Sequence, residues 1–544
     1  MRGVDMRPVE RVTGPQPLLW LAWVCAAAAI VYVVGFPFWI ADYPMMTDFP
    51  FHAASASAFR HYADAGWHFE EQFVLQPFAV PYVSLYALSA LFMLVLSPVA
   101  ATKLAAALLL ALMPIGLMVL CWGMRKSPFL GLWGLVPVWG VLSHWGFVGF
   151  LGAIGLFAMS IGLALRLVDR PSPTLQVWLV ACLLCLFFTH VFRFPFALGA
   201  LLIVALVMYN QADSLKGLII PFSIGTVLFV FWWFGRAGEI SLDIQWVWPP
   251  AWWRFSEAGT YLFDVFVSDD DARAFRRTGI FFLLTAAVLF AIAVARLRGW
   301  PNNSWVLGAH GVVLAVILIS LALYVTMPME IGSWWYVYPR ELTVAVFFVP
   351  ALLPNLPRKT WAHLGFVIWT AIAIAPISEV TAEAHREFGT TTTHFREIVS
   401  ELPRSPKLLY LIYDHHGSRA KSSPYVHLPA YVQAERGGWI SFHFAEFGYS
   451  PLRYRSREDP NAVVPPRVPV RWEWSPQLFQ LEQHGSFFDW FLVRRMSSPD
   501  SLFAADPSIQ RVAHFEDWWL YHRRGTRLDP EVKPPKLDLD ESRK

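Results

Sequence analysis

Charge is what this sequence has least of. Only 15% of its 544 residues are Asp, Glu, Lys or Arg, against about 25% in a typical soluble domain. A net charge of +3, with no dense basic patch, excludes nucleic acid as a partner. Cysteine is scarce too. Cys25, Cys121, Cys182 and Cys185 all lie in apolar runs, so the polar C-terminal part has no disulfide framework. Cys182 and Cys185 form a C-x-x-C, but no ligand set stands near them before His190. They read as buried thiols rather than a redox or zinc pair. G-x-G-x-x-G and G-x-x-x-x-G-K-[ST] are absent after every candidate strand, which removes support for nucleotide binding.

What the chain does have is apolar surface. Its residues are 56% hydrophobic and 16% aromatic, with a mean hydropathy of +0.44. Long apolar runs fill residues 18–378 and charges crowd residues 379–544. A spanning helix needs about 20 mostly apolar residues. Candidate spans are 18–40, 81–97, 100–123, 129–143, 146–167, 174–191, 192–210, 217–236, 278–297, 304–327, 341–356 and 361–378. Several are short, and 129–143 reads equally as half of a broken helix. The expected fold is mainly α: a polytopic transmembrane helical bundle of 11–13 spans. A C-terminal extracytoplasmic α/β domain follows it. The first apolar run is longer than a signal h-region and lacks a small-residue cleavage site, so it reads as a retained span.

Lys and Arg in short loops set the orientation. Arg2, Arg7 and Arg11 put residues 1–17 in the cytoplasm. Arg166, Arg170, Lys216, Arg296, Arg298, Arg358 and Lys359 mark further cytoplasmic loops. Loops 41–80, 238–277 and 328–340 then lie outside, as does everything after 378, in a multi-pass protein of the inner (plasma) membrane. An outside C-terminal domain requires an odd number of spans. Arg125 and Lys126 break the pattern, because two candidate spans separate them from the outside loop 41–80. Either one span is misread or the rule fails there. Within the domain 379–526, residues 381–402 and 499–505 read as helices. Residues 407–413, 489–493 and 518–521 read as strands. The charged tail 527–544 reads as disordered.

The costly polar residues gather near the outer face. Asp48 follows the first span closely and has Phe49, Pro50 and Phe51 as neighbours. A carboxylate near hydrocarbon needs a task or a partner, and apolar surroundings favour a general base. His52 shares its helix face if a helix starts there. Asp48 and His52 then form a base with an orienting partner, or two ligands of a divalent metal. Alternatively Asp48 caps the helix, with Pro50 in its first turn. His190 and Arg193 interrupt the apolar stretch 174–210. They suit a phosphate group in a cavity, or an interfacial loop with a snorkelling arginine. Arg340 and Glu341 follow Trp334, Trp335, Tyr336 and Tyr338. The planar fork of Arg340 suits a lipid-linked phosphate. Trp335 and Tyr338 suit stacking on a sugar or prenyl chain, or an aromatic belt. Asp414, His415 and His416 end a strand, but His427 and His443 complete no metal spacing with them. Asp269, Asp270 and Asp271 read as a solvated run.

These features resemble the GT-C superfamily of membrane glycosyltransferases. The points of likeness are Asp48 in the first outside loop, the juxtamembrane helix after it, 11–13 spans, Arg340 at a late outer lip, and a C-terminal outside domain. The stretch 145–156 and Thr189-His190 are similar to bacterial membrane proteins of this layout. The likeness covers roughly residues 15–380. It implies a polyprenyl-phosphate-linked sugar as donor and a glycan or lipid as acceptor, with the bilayer as a further partner. It also implies Asp48 as base or metal-linked group. Asp-x-Asp and Glu-x-Asp are absent from the first loop, since Asp42 and Asp48 stand six apart, so no cofactor is fixed and a divalent metal stays open. The Trp-Trp-Asp signature of oligosaccharyltransferases is absent as well. The rival readings are a transporter or flippase of lipid-linked glycans, and a non-catalytic membrane scaffold. The first predicts a two-half repeat and mid-span charges, neither of which the sequence contains.

Overall fold

The computed structural model describes residues 14–235, 244–266, 268–295, 304–332, 334–416, 423–447, 450–467 and 472–524. The sequence readings at Arg2, Arg7, Arg11, Arg296, Arg298, 238–243 and the tail 527–544 lie outside the described residues. The chain divides into two compact units. The first holds Met1–Phe38, Ala106–Ser143 and Phe147–Ala382, and the second holds Trp39–Ala105, His144–Gly146 and Glu383–Lys544.

The first unit is helical. Among the described residues, seven helices are long and apolar enough to cross a membrane: Gln16–Trp39, Pro98–Gly123, Val148–Asp169, Leu215–Gly235, Asp269–Ala295, Trp305–Thr326 and Thr360–Thr391. Pro128–Trp139, Pro173–Thr189 and Val191–Val207 are shorter apolar helices. With the pair Val337–Phe348 and Val349–Leu352, the described residues hold eleven candidate passes, an odd number. Pro128–Trp139 is a 3-10 helix of 12 residues. At about 2 Å per residue it reaches roughly 24 Å, where an α-helix reaches roughly 18 Å. It is buried along most of its length, the condition under which irregular backbone is tolerated at membrane depth. The helices at 98–123 and 148–169 meet backbone to backbone. A Cβ on Gly116 would stand 1.9 Å from the Gly155 carbonyl oxygen, and one on Gly123 would stand 2.2 Å from that of Gly162. Small residues allow that approach where no hydrophobic drive separates helix from lipid.

Polar groups mark the two ends of this unit. At one end Arg125 pairs with Asp169, which Arg166 also holds at 2.7 Å. Lys126 Nζ donates to the Ala351 carbonyl at 2.6 Å and the Leu353 carbonyl at 2.7 Å. The Ser127 N–H donates to Asn355 Oδ1 at 2.7 Å. Arg125 and Lys126 therefore share a face with Arg166, Asp169 and the 353–359 loop. The misread span is 81–97. Its helix is Ser84–Phe92, only 9 residues, about 14 Å long, and it belongs to the second unit. Composition was sufficient there, but the helix stops before Pro98, which starts the next one and disfavours helix in the residue before it.

At the other end the aromatic loop is tied to the close of helix Trp305–Thr326. The Val247 N–H donates to the Thr326 carbonyl and the Ala251 N–H to the Val325 carbonyl, each at 2.9 Å. Arg254 Nη1 donates to the Tyr324 and Met327 carbonyls, each at 2.8 Å. Trp246, Trp248, Trp252 and Trp253 stay exposed at this level, where tryptophan favours the headgroup boundary. Helix Asp269–Ala295 begins nine residues before the expected span. Asp269, Asp270 and Asp271 fill its first turn, where the helix dipole favours them. Asp271 is buried and accepts the Phe266 N–H, whereas Asp269 stays exposed, so the triplet is a helix start with one buried member.

Among its described residues the second unit contains seven strands: β1 (Phe73–Leu75), β2 (Lys407–Ile412), β3 (Trp439–Ile440), β4 (Leu452–Tyr454), β5 (Trp490–Arg494), β6 (Ile509–Phe515) and β7 (Trp518–Arg523). Five form a sheet in the order β3-β2-β5-β7-β6. β2 runs parallel to β3 and β5, and β7 antiparallel to β5 and β6. Alternate side chains Leu409, Leu411, Phe491, Val493, Trp519 and Tyr521 bury one face with Trp472 and Phe488, as the strand period of two requires. The expected helix at 499–505 is only a 3-10 turn, Asp500–Leu502. β1 pairs with β4. Ala58, Trp67, Phe69, Phe73, Ala445 and Leu452 share a second core. The first loop and the C-terminal segment, divided in the sequence at 41–80 and 379–526, thus build one body.

Candidate active site

Asp48 stands at the head of helix Phe49–Arg60, yet its side chain makes no capping bond. Its Oδ1 meets His427 Nδ1 at 3.1 Å instead. The side chain of Asp48 is 19% exposed and that of His427 5%. The carboxylate is therefore reachable while its partner is buried. Its backbone is clamped. The Thr47 N–H donates to the His144 carbonyl at 3.0 Å and the Asp48 N–H to the Trp145 carbonyl at 3.1 Å. Gly146 completes the clamp with φ +99°, and a Cβ there would stand 2.9 Å from Asp48 Cβ. Only glycine meets both demands.

His52 shares a helical turn with Asp48, its N–H donating to the Asp48 carbonyl at 3.2 Å. Its ring is engaged elsewhere. Nε2 lies 3.0 Å from the Gly146 carbonyl and Nδ1 lies 3.1 Å from the Tyr86 hydroxyl. A carbonyl only accepts, so Nε2 carries the proton and Nδ1 accepts from Tyr86. Burial pushes the imidazole pKa down, with the Asp48 charge opposing, and this favours that neutral form. His52 therefore braces the Gly146 clamp, and the orienting contact on Asp48 comes from His427. Phe51, Phe442, Phe444 and Trp474 surround the His427 ring, with centroids 4.7–6.2 Å away. Its Nε2 is buried without a hydrogen-bond partner. Spacing along the chain gave no sign of this pair, because its members stand 379 positions apart.

Among the described residues, no three His, Cys, Asp or Glu side chains gather as a metal cage. Both ring nitrogens of His52 are engaged and His427 Nδ1 is spent on Asp48. His52 therefore offers no ring nitrogen to a metal ion beside Asp48. Asp414 pairs with Arg494 at 3.1 Å, so the strand-end carboxylate is occupied as well.

The remaining sequence candidates lie in the first unit. Arg193 and Glu341 form a bidentate pair, with Nη1 3.1 Å from Oε2. Both are buried. The Arg193 guanidinium lies over Phe150 and Phe196, 5.2 and 4.6 Å from the ring centroids. Each charge answers the other. Arg340 donates from Nε to the Tyr336 carbonyl at 3.1 Å and from Nη2 to the Trp335 carbonyl at 3.0 Å. Its guanidinium lies 4.2 Å from the Phe147 ring centroid. Tyr336 has φ +65°, uncommon for a bulky residue, and this turn presents its carbonyl to Arg340. His190 is buried, its ring 5.2 Å from Phe150, in the electrostatic field of Arg340 and Arg193. Tyr338 is buried, bonded to the Tyr261 hydroxyl and covered by Arg254 at 3.7 Å. That leaves no face of Tyr338 open for stacking, whereas Trp335 is 37% exposed.

No family model matches the chain, and no curated protein matches it. Its fold is nevertheless similar to that of solved membrane-protein structures. The chain is similar to the structure of ArnT from Cupriavidus metallidurans bound to undecaprenyl phosphate. The TM-score is 0.53 at 14% identity, covering 94% of this chain and 99% of that chain. The apo state of the same protein scores 0.46 at 14% identity, over 94% of this chain and 99% of that chain. The arabinofuranosyltransferase AftD from Mycobacteria scores 0.46 at 14% identity, over 93% of this chain and 40% of that chain.

Proposed function

We propose that the chain is an inverting glycosyltransferase that moves a sugar from a polyprenyl-phosphate donor to an acceptor outside the cytoplasm. The observation that carries this reading is the Asp48–His427 pair, 3.1 Å apart, in a chain with a GT-C fold. Capping alone would turn the Asp48 carboxylate onto its own helix. Instead it takes a buried imidazole and keeps one oxygen for a further proton.

The step follows from those groups. His427 Nδ1–H donates to Oδ1 of Asp48 and holds the carboxylate in place. The free oxygen accepts the proton of an acceptor hydroxyl as that oxygen attacks the anomeric carbon. The new carbon–oxygen bond forms as the bond from that carbon to the donor phosphate breaks. Polyprenyl phosphate leaves with the electron pair. A single carboxylate base and a single displacement invert the anomeric centre. The charge developing on the leaving phosphate is where stabilisation matters most, a role for which the sequence offers Arg340 as the candidate. ArnT, the similar protein, was captured with undecaprenyl phosphate, which supports a polyprenyl-phosphate ligand here. The positive-inside rule assigns the Arg125–Asp169 face to the cytoplasm of an inner-membrane protein. An odd number of candidate passes supports a C-terminal domain on the other side, outside.

The test is transfer from a panel of radiolabelled polyprenyl-phosphate sugars by the purified chain, read as polyprenyl phosphate released. Asp48→Asn should lower kcat by about a thousandfold. His427→Gln should lower it by about ten- to a hundredfold. Undiminished turnover by Asp48→Asn would sink the proposal.

A further inference from the structure

The second unit contains an aromatic surface that the step above leaves unused. Trp472 and Trp474 flank one 3-10 turn. Trp472 is only 2% exposed and belongs to the sheet core, whereas Trp474 is half-buried. Two imidazoles stand edge-on to the Trp474 ring: His415 at 5.5 Å and 76°, and His427 at 6.2 Å and 75°. Each keeps its Nε2 buried without a hydrogen-bond partner. His427 reaches Asp48 through its other nitrogen. One indole, two unanswered imidazole nitrogens and one carboxylate are therefore joined contact by contact.

A buried polar atom without a partner is costly and calls for an explanation. Two such imidazoles edge-on to one half-buried indole point to a ligand that is flat, apolar on one face and rich in hydroxyls. A sugar ring has that character: its C–H face stacks on an aromatic ring while its hydroxyls reach the rim. The Asp48 carboxylate disfavours an anion and accepts from a hydroxyl. We propose that Trp474, His415 and His427 form the acceptor subsite, binding a neutral sugar ring with one hydroxyl presented to Asp48. Its role as an acceptor site rests on the glycosyl-transfer reading, whereas sugar binding is measurable without it.

The experiment uses the full chain in phosphatidylcholine nanodiscs, free of sugar-based detergents. Saturation-transfer NMR is recorded with the methyl glycosides of glucose, galactose, mannose and arabinose. At least one should receive saturation from the wild-type chain. Trp474→Ala should weaken that binding roughly tenfold, Trp474→Phe should restore most of it, and His415→Ala should weaken it severalfold. Binding of none of the four, or undiminished binding by both Trp474→Ala and His415→Ala, overturns the assignment. The two readings fail separately, since glycoside binding speaks to the subsite and Asp48-dependent turnover speaks to the transfer reaction.

Discussion

The Arg193–Glu341 pair allows a test that separates structure from substrate binding. Arg193 is 3% exposed and Glu341 7%, and Arg193 Nε is buried without a partner. Their attraction offsets the loss of water around both charges. Glu341→Gln keeps the shape and removes one charge, leaving a guanidinium between Phe150 and Phe196 with only a neutral amide opposite. Breaking one side of a buried pair costs about 3–5 kcal/mol, whereas replacing both sides with apolar residues of similar volume is often neutral or stabilising. Arg193→Met combined with Glu341→Leu should therefore restore the stability that Glu341→Gln loses. The native thiols supply the assay. Cys121 and Cys182 are buried, Cys25 is intermediate and Cys185 exposed. A fluorogenic maleimide then reports melting as labelling above the Cys185 baseline. Wild-type melting by Glu341→Gln would refute the account of a desolvated pair. A double variant that melts like wild type but loses turnover would return both residues to a substrate-binding role.

Three further outcomes follow from named contacts. Gly146→Ala forces a methyl group 2.9 Å from Asp48 Cβ at φ +99°, so turnover should fall by about a hundredfold through displacement of the carboxylate. Turnover within twofold of wild type would contradict the clamp. His443 is buried, with its pKa pushed down to about 3 from 6.5 by desolvation. The unfolded chain then binds the extra proton first, so stability is full above pH 6.5 and falls as pH drops towards 3. Near pH 4.5 the loss from this residue is roughly 2–3 kcal/mol. His443→Gln should flatten the decline, and a decline of unchanged slope in denaturant titrations would count against the assignment. Cysteines placed at exposed Arg170 and at exposed Trp248 should label from opposite sides of sealed vesicles. Labelling of both from one side would break the pass count.

Much of the fold was legible because hydrophobic length is a local property. Span 146–167 is written as a long apolar run that meets no charge before Arg166, and β2 as Leu408 to Ile412. The failures occurred where length and composition part company. Residues 81–97 carry enough apolar side chains to cross a bilayer, but the helix there ends at Phe92. Pro128–Trp139 is too short as an α-helix, yet the greater rise of a 3-10 helix lengthens it, and only burial makes that backbone admissible.

The site was legible only in its first half. Asp48 stood out because a carboxylate beside Phe49, Pro50 and Phe51 is locally improbable. Helical spacing then pointed to His52, and the turn exists, but spacing fixes which residues share a face and not where a ring turns. His52 turns to Gly146 and Tyr86. The carboxylate is answered by His427, whose own neighbourhood, Tyr425-Val-His-Leu-Pro429, carries no signal of chemistry. What unites Asp48, Gly146 and His427 is that the second unit is assembled from three stretches of chain: 39–105, 144–146 and 383–544. The three-residue stretch explains why single-sequence reading stops here. It is too short to register as an element, yet it supplies the two carbonyls and the glycine that hold Asp48 in place. Substitutions in the pairs 48/146 and 48/427 should therefore be strongly non-additive, because each residue acts through the position of one carboxylate. A double-mutant cycle on Asp48 and His427 is the sharpest measure of that coupling. Once Asp48→Asn has removed the base, His427→Gln should add little further loss of turnover, and a fully additive second loss would mean that His427 works on something other than Asp48.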